Sequence, residues 1–202
     1  RFWGFNPGSE KVCLTFQRIW DQVAVENMLE KAAIREGLPT DTVAIERLYS
    51  EAFPDEDLLP LVRDLHGELS GVMSFIAHAD EAVLGHVVFT TCGVAGQTVK
   101  VALLGPLAVA PAQQRRGIGT AIVRAGLHHL EIAGTTQVFV LGDPAYYGRF
   151  GFEPDDHVTP PYPLPEAWHG AWQSLGLRNV DPPLHGDLLV PQPWRQPALW
   201  AP

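Results

Sequence analysis

Seven consecutive residues combine the features of an anion-binding turn: Gln114, Arg115, Arg116, Gly117, Ile118, Gly119 and Thr120. An apolar run precedes this turn, and a helical spacing of apolar residues follows it as far as Gly134. Backbone N–H groups in the first turn of a helix lack partners, and the helix dipole adds a partial positive charge there. Gly117 and Gly119 have no Cβ, so a ligand can approach the backbone closely. The turn therefore predicts a binding site for a phosphate or pyrophosphate group.

Two common phosphate-binding motifs do not fit this turn. A dinucleotide fingerprint needs glycine at the last position of G-x-G-x-x-G, where this sequence has Ile122. A P-loop ends in G-K-[ST], and no lysine lies near the turn. The pattern that remains is Q-x-x-G-x-G, which by itself is also compatible with an ordinary helix start flanked by solvated arginines.

Before the strands that lead to the turn, the sequence predicts one strand and two helices. Residues 32–36 predict the first strand, and Thr40 and Asp41 are candidate caps for a helix that ends before Pro54. The residues expected on the apolar side of this helix are Val43, Ala44, Ile45, Leu48 and Ala52. A second helix is expected to start at the acidic group 55–57, where carboxylates would favour the positive end of the dipole. Contact with a substrate is the alternative role of these acids.

The middle of the chain predicts a sheet with one irregular strand. Runs 72–78 and 82–91 are separated by a short turn and predict a hairpin, and the run 99–109 predicts a third strand. Gly105 and Pro106 interrupt the third strand, and proline cannot donate a hydrogen bond to a neighbouring strand. We therefore expect a bulge that frees backbone groups of the next three residues.

The helix after the phosphate turn is followed by another apolar run, 136–142, which predicts a buried strand. A strand, a helix and a strand in succession imply a parallel pair. Because the first strand of this pair is expected to be bulged, we expect the two strands to splay and leave a slot. A short helix follows, with Asp143 as its N-cap, Pro144 at its first position and Gly151 at its end.

Two linked motifs resemble those of the GNAT acetyltransferase superfamily. The first is the hexad Q-x-x-G-x-G at 114–119, and the second is Tyr-x-x-x-Gly-Phe at Tyr147, Gly151 and Phe152. The segment 104–152 as a whole is similar to a bacterial branch of N-acetyltransferases. The resemblance implies a GNAT-like α/β fold of the α+β kind, with a central mixed, mostly antiparallel sheet, a splayed parallel pair and flanking helices.

The resemblance covers residues 31–154, which we interpret as the GNAT core. Residues 1–30 are interpreted as an N-terminal arm, for which a contact in a homodimer is one alternative. The remaining range, 155–202, is rich in proline and tryptophan. We expect it to pack on the core because its tryptophans need burial. Binding of its proline-rich run to a partner protein is the alternative interpretation.

The resemblance implies acetyl-CoA as co-substrate and a primary amine of a small molecule or peptide as acceptor. The residues expected to hold the pyrophosphate of acetyl-CoA are Gln114, Arg115, Arg116, Gly117, Ile118, Gly119 and Thr120. The residues expected to contact its pantetheine arm through the backbone are Leu107, Ala108 and Val109. The N–H of Val109 or of a neighbour is also expected to stabilise the oxyanion that develops during acetyl transfer.

Tyr147 is expected to be the general acid. The pKa of a phenol is about 10, which lies near that of a thiol and suits proton transfer to the departing thiolate. Packing is the alternative role of Tyr147 and the expected role of Tyr146. Many GNAT proteins carry an acidic residue on the bulged strand, and the run 99–109 contains none. The open alternatives for the general base are His86, Glu51, the acidic group 55–57 and water.

The composition argues against several other classes of protein. A net charge of −9 and an isoelectric point near 5.3 disfavour nucleic acid as a main partner and favour a cationic acceptor. Cys13 and Cys92 form neither a disulfide framework nor a zinc motif, so we expect no metal and a cytoplasmic location. No apolar run reaches the length of a transmembrane helix, and we expect no membrane association.

Two functions therefore remain. The first is an acetyl-CoA-dependent N-acetyltransferase, which the tyrosine motif favours. The second is a non-catalytic acyl-CoA-binding or regulatory module that has kept the cofactor slot, which the missing carboxylate on the bulged strand favours. Release of the CoA thiol in the presence of amines distinguishes them.

Overall fold

A computed structural model describes residues 32–68, 70–80, 82–178 and 182–200. The expected N-terminal arm, 1–30, lies outside these ranges. The described strands are β1 (Ala33–Glu36), β2 (Val72–Ala79), β3 (Ala82–Val94), β4 (Val101–Val109), β5 (Gln137–Leu141), β6 (Glu153–Pro154), β7 (Val158–Thr159), β8 (Trp172–Gly176) and β9 (Gly186–Leu189). The described α-helices are α1 (Thr42–Ala52), α2 (Leu59–Gly67), α3 (Ile118–Ile132) and α4 (Pro144–Tyr147).

The central sheet has the strand order β1-β2-β3-β4-β5-β8-β6. Neighbouring strands in this order are antiparallel, except for β4 and β5, which are parallel. β9 pairs with the end of β3, where Gly93 lies opposite Leu189, and β7 pairs with β9 in parallel. The expected mixed, mostly antiparallel sheet with a parallel pair and flanking helices is confirmed.

The strand β4 contains the expected bulge. Its pairing with β3 stops after Leu104 and resumes at Leu107 with a shifted register. Gly105 and Pro106 occupy the interruption and are joined by a cis peptide bond. Proline has no N–H to offer the neighbouring strand, which explains why the ladder breaks at this point.

β4 and β5 separate near the bulge. The two strands pair only where Val101 to Leu103 face Gln137 to Phe139. Both strands continue beyond this pairing, β4 to its end at 109 and β5 to its end at 141. The expected splay of the parallel pair is confirmed, because the pairing stops before either strand ends, and the region between the two unpaired edges is termed the slot.

The helix α3 covers one face of the sheet. Its predicted apolar residues are buried or partly buried there: Ile118, Ile122, Val123, Leu127 and Leu130. A Cβ at Gly126 would overlap the ring of Phe89 in β3, so glycine at this position lets the helix lie close to the sheet. The predicted stop after the helix is also present, because Gly134 has a left-handed φ of 80°.

The helix α1 covers part of the opposite face. Ile45, Leu48 and Tyr49 are buried in a cluster with Ile76 of β2. Val43 is 81% exposed, so its predicted place on the apolar side is wrong. It lies about 200° around the helix from Ile45, which turns its side chain away from the sheet.

The helix α2 begins later than the sequence predicted. Its first residue is Leu59, and the acidic group 55–57 lies in the turn before it. Asp57 Oδ1 accepts a hydrogen bond from the N–H of Leu59 (3.2 Å), so this carboxylate caps the helix from outside its first turn. Pro60 follows in the first turn, where its missing N–H costs no hydrogen bond.

The C-terminal region contributes both to the sheet and to the core. β8 pairs with β5 from Trp172 to Gly176, so the central sheet continues beyond residue 154. Trp172, Trp194 and Trp200 are buried in one cluster with residues of α2, so they cover the sheet face on which α2 lies. The indole N–H of Trp194 donates to Thr90 Oγ1 in β3 (3.0 Å), and that of Trp200 donates to the carbonyl of Trp194 (3.0 Å).

The described ranges contain neither a candidate membrane-spanning helix nor a candidate metal cluster. Within these ranges, no helix combines the length and the apolar character that crossing a membrane requires, and no group of three or more potential metal ligands comes together. Cys92 is a free, buried thiol, and burial raises its pKa to about 12. Cys13 lies outside the described residues.

Candidate active site

The predicted phosphate turn lies between the end of β4 and the start of α3. A short 3₁₀ turn, Pro111–Gln113, leads out of β4, and Gly117 is the N-cap of α3. Arg115 and Gly117 both have positive φ angles, 61° and 86°. Left-handed residues within such a turn bring successive N–H groups to one side. The turn therefore presents backbone donors where the helix dipole is most positive.

The side chains of the turn leave positive charge available. Arg115 and Arg116 are exposed, and neither forms an ion pair with another residue of the described ranges. Gln114 donates through its side-chain amide to the carbonyl of Val109 (3.3 Å), which ties the turn to the last residue of β4. Both guanidinium groups are thus free to meet an anionic ligand, and Gln114 supports the shape of the turn.

The two glycines of the turn are required for different reasons. A Cβ at Gly117 would meet no atom within 4 Å, but the φ of 86° is one that other residues rarely adopt. A Cβ at Gly119 would lie 2.5 Å from the hydroxyl oxygen of Tyr146 and 3.4 Å from Cγ2 of Val109. Gly119 therefore makes room for the Tyr146 side chain, a role that the sequence did not predict.

Three residues of β4 after the bulge were expected to contact pantetheine through the backbone. Two of them direct their backbone groups toward the slot. The N–H of Ala110 donates to the carbonyl of Leu84 in β3 (2.9 Å), and hydrogen-bonded pairs alternate along an antiparallel ladder. By this alternation Leu107 and Val109 direct their backbone groups away from β3, toward the separated edge of β5. The backbone of Ala108 faces β3 instead, so the pairing gives no support to its expected contact with pantetheine.

Tyr147 lies in the short helix that the sequence predicted at the end of β5. Asp143 Oδ1 accepts a hydrogen bond from the N–H of Ala145 (2.9 Å), and Gly151 ends the following 3₁₀ turn with a φ of 91°. The Tyr147 side chain is 3% exposed and packs against Gly142, where any Cβ would overlap its ring. Burial raises the pKa of Tyr147 above its ordinary value, so the phenol is protonated at neutral pH.

Tyr146 lies beside the phosphate turn rather than in the core. Its hydroxyl lies against Gly119, while Arg149 stacks over its ring at 4.5 Å. Its ring contacts that of Tyr147 edge to face, with centroids 5.0 Å apart. From the sequence, only packing was predicted for Tyr146, and no pattern indicated this link to the start of α3.

A second buried tyrosine lies at the bulge. The hydroxyl of Tyr49 in α1 is 3.1 Å from Nδ1 of His86 in β3 and donates to the carbonyl of Pro106 at 3.2 Å. Burial raises the pKa of Tyr49, and the neighbouring Tyr147 adds to the rise. The apolar spacing of α1 places Tyr49 toward the core, but no pattern in the sequence marks its hydroxyl as part of the site.

The candidate general bases differ in their surroundings. Burial lowers the pKa of His86 to about 3, and the ring is neutral at pH 7. Glu51 pairs with Arg47 on the surface of α1 (2.7 Å). The acidic group 55–57 borders a cavity of about 370 Å³. The residues lining this cavity are Tyr49, Ser50, Phe53, Pro54, Asp55, Glu56, Asp57, Leu58 and Leu59.

Comparison with known sequences identifies relatives over most of the chain. The model of the acetyltransferase (GNAT) family matches residues 42–152. The uncharacterized N-acetyltransferase YjhQ of Escherichia coli K12 is 32% identical over 167 residues, which are 79% of this chain and 92% of YjhQ. The uncharacterized N-acetyltransferase YhbS of the same strain is 34% identical over 155 residues, 76% of this chain and 90% of YhbS.

Solved structures of similar proteins agree with the sequence relatives. The crystal structure of YhbS from E. coli in complex with CoA has a TM-score of 0.74 and 28% identity, covering 82% of this chain and 93% of YhbS. A GNAT family acetyltransferase from Brucella melitensis in complex with acetyl-CoA has a TM-score of 0.66 and 29% identity, covering 80% of this chain and 97% of that protein. From the family match over 42–152 and the identity to these relatives, this chain belongs to the GNAT family of acetyltransferases.

Proposed function

We propose that this protein is an N-acetyltransferase that moves the acetyl group of acetyl-CoA to a primary amine of a small molecule or peptide. The observation that carries the proposal is the slot between β4 and β5, which opens next to the phosphate turn at the start of α3. Two of the structural relatives contain CoA or acetyl-CoA, which supports the same ligand here. The amine attacks the thioester carbonyl directly, through a tetrahedral intermediate.

The turn and the bulged strand would hold the two ends of the co-substrate. The pyrophosphate lies on backbone N–H groups from Arg116 to Thr120, with the exposed charges of Arg115 and Arg116 beside it. The pantetheine arm runs along β4 and bonds backbone groups of Leu107 and Val109 that do not pair with β3. The N–H of Val109 or of a neighbour stabilises the negative charge that develops on the carbonyl oxygen.

Tyr147 is proposed as the general acid that protonates the departing thiolate of CoA. Its raised pKa keeps the phenol protonated until the thiolate forms. A thiolate in the same water-excluding slot is also destabilised by the loss of solvation, so its own pKa rises with that of the phenol. The pKa values of the phenol and of the CoA thiol therefore stay close to each other, although both groups are buried.

The acceptor amine is proposed to enter through the cavity of about 370 Å³ bordered by α1 and the acidic group 55–57. Its carboxylates and the net charge of −9 favour a cationic amine over a neutral or anionic one. We propose that the amine loses its proton to bulk solvent through water and attacks in its neutral form. His86 is not assigned as the base, because it is buried and its pKa of about 3 is far below that of an amine.

A screen of amines tests the proposed function. The protein is mixed with acetyl-CoA and one amine at a time, and free CoA thiol is measured with a chromogenic disulfide. We expect thiol release with at least one cationic primary amine and acetylation of that amine by mass spectrometry. Binding of acetyl-CoA without amine-dependent thiol release across the panel would instead support the non-catalytic acyl-CoA-binding module, which the lack of a carboxylate on β4 favours.

A further inference from the structure

Two buried polar side chains meet at the bulge of β4, outside the residues assigned above to the reaction. Tyr49 and His86 are 1% and 0% exposed. Their contact spans 37 positions of sequence and joins α1 to β3. The third member of this cluster is the carbonyl oxygen of Pro106, which accepts from the Tyr49 hydroxyl at 3.2 Å. Buried polar groups need hydrogen bonds, so the direction of each bond can be worked out.

A phenol has one proton, which fixes the tautomer of the histidine. When Tyr49 donates to the carbonyl of Pro106, its oxygen can only accept from His86, so the imidazole carries its proton on Nδ1. The reverse arrangement leaves the Pro106 carbonyl without this donor and places the imidazole proton on Nε2. Among the described residues Nε2 has no hydrogen-bond partner, so that proton would be buried and unsatisfied. The first arrangement therefore leaves fewer groups unpaired.

Both side chains stay neutral in this arrangement around neutral pH. Burial lowers the pKa of His86 to about 3, with the neighbouring ring of His66 lowering it further. Burial raises the pKa of Tyr49 above its ordinary value. Neither proton is lost or gained near pH 7, so the direction of the two hydrogen bonds does not change there.

The carbonyl of Pro106 shares a peptide plane with the N–H of Leu107. In a trans peptide the C=O and N–H bonds are coplanar and point in opposite directions. A hydroxyl that holds the carbonyl therefore also holds the N–H of the next residue. The N–H of Leu107 does not bond to β3. It points toward the slot, where β5 has separated from β4.

We propose that Tyr49 and His86 are positioning residues for acetyl transfer, which fix the peptide plane after Pro106 and so aim the N–H of Leu107 at the cofactor slot. Tyr49 holds the carbonyl directly, and His86 acts through Tyr49 by orienting its hydroxyl. The inference rests on the proposed contact between Leu107 and the pantetheine arm. The two residues stabilise the bound co-substrate without touching the reacting atoms.

The variant Tyr49→Phe tests the hydroxyl while keeping the ring, which stacks on Phe53 with centroids 5.9 Å apart. We expect the Michaelis constant for acetyl-CoA to rise about fivefold, the effect of one hydrogen bond, with a smaller change in kcat. Tyr162→Phe removes the same hydroxyl from the C-terminal region and is the matched control, for which no change is expected. An unaltered Michaelis constant in a folded Tyr49→Phe protein would overturn the proposal.

Two variants of His86 distinguish the loss of its hydrogen bond from a change in side-chain volume. The side-chain amide of His86→Asn can donate from nearly the place of Nδ1, whereas His86→Leu cannot donate at all. We expect the asparagine to keep the Michaelis constant within about twofold of the wild type and the leucine to reproduce the Tyr49→Phe effect. Equal behaviour of the two variants would remove His86 from the proposal.

Nitrogen-15 NMR of the histidine side chains provides a readout that needs no ligand. The wild type should show His86 with its proton on Nδ1, and a proton on Nε2 would overturn the proposed bond direction. Calorimetry with acetyl-CoA tests the underlying function separately. A wild type that does not bind acetyl-CoA contradicts the proposed function together with the role of the pair. A wild type that binds, beside an unaffected Tyr49→Phe, contradicts the role of the pair alone.

Discussion

At the scale of single residues, Gly117 is the position where the proposed pyrophosphate site is most sensitive. Its left-handed φ and the open space around it leave room for a ligand, and the first turn of α3 begins directly after it. We expect Gly117→Glu to lower the affinity for acetyl-CoA by at least tenfold, because a carboxylate would repel the pyrophosphate and the backbone would be strained. Isothermal titration calorimetry measures the change.

Gly96 supplies the matched control for this variant. It also has a left-handed φ, 75°, and open space around it, but it lies in the turn between β3 and β4, at the opposite end of β4. Gly96→Glu adds the same charge and similar strain, and it should leave the affinity for acetyl-CoA unchanged. Unchanged affinity in a folded Gly117→Glu protein would show that the pyrophosphate binds elsewhere.

Tyr147 and Tyr146 are adjacent in sequence and differ in environment, which allows a paired test of the general acid. Tyr147→Phe keeps the buried ring and removes the proton, so we expect kcat to fall by roughly 10²–10⁴ with little change in the affinity for acetyl-CoA. Tyr146→Phe removes a hydroxyl that lies against Gly119 and should lower kcat far less. Steady-state kinetics with an acceptor from the amine screen measures both. Equal losses at the two positions would assign the proton to another donor, with water as the first to test.

The lowered pKa of His86 makes the stability of the protein depend on pH. Its pKa is about 3 in the folded protein and about 6.5 when unfolded, so between these values the unfolded chain binds a proton that the folded chain does not. The free energy of unfolding should therefore decrease as the pH falls from 6.5 toward 3, by up to about 1.4 kcal/mol per pH unit. Urea unfolding at pH 7, 6 and 5 measures this slope.

Replacing His86 shows how much of the pH dependence of the free energy of unfolding comes from this residue. His86→Asn does not titrate, so its free energy of unfolding should vary less between pH 7 and pH 5 than that of the wild type. Identical slopes for the wild type and His86→Asn would mean that His86 is accessible to protons in the folded protein.

At the scale of elements, local sequence patterns predicted β1 to β5 and α3 because their causes are local. The spacing of apolar residues marks the buried side of α3, and Pro106 marks the bulge because it lacks an N–H. The start of α2 was predicted too early, since carboxylates suit both a first helical turn and the turn before it. The contact between Tyr49 and His86 joins distant segments, and neither segment carries a pattern that points to the other.

At the scale of the whole molecule, the C-terminal region is expected to be needed for stability. A chain that ends after Pro154 loses β8 from beside β5 and exposes apolar surface on the sheet face that Trp172, Trp194 and Trp200 cover. Each buried tryptophan contributes several kcal/mol, at about 25 cal/mol per Å² of buried apolar surface. We expect the truncated protein to have a lower melting temperature or to be insoluble, as measured by calorimetry and sedimentation.

A single substitution in the full chain provides a milder test of the same contact. Trp194→Phe removes the donor to Thr90 Oγ1 and part of the buried surface, so it should lower the melting temperature less than the truncation does. A truncated protein as stable and soluble as the full chain would contradict this role. It would then favour the binding of the proline-rich run to a partner protein.

The resemblance to a family predicted the central part of the molecule better than its C-terminal part. The motifs of the phosphate turn and of Tyr147 belong to the shared core, and the order of elements between them follows. A boundary at residue 154 did not anticipate that β8 adds a strand next to β5. Trp172 stacks on Phe139 of β5 with centroids 5.5 Å apart, a contact that composition alone cannot locate.

The bond between Thr90 and Trp194 joins residues 104 positions apart, and it has a consequence for the newborn chain on the ribosome. Translation delivers β3, β4 and α3 well before the last tryptophans are synthesised. Until then one sheet face lacks part of its cover, and its apolar residues are open to chaperones and to other nascent chains. Because such long-range contacts also form slowly, the protein completes this part of its core only after Trp194 and Trp200 have been synthesised.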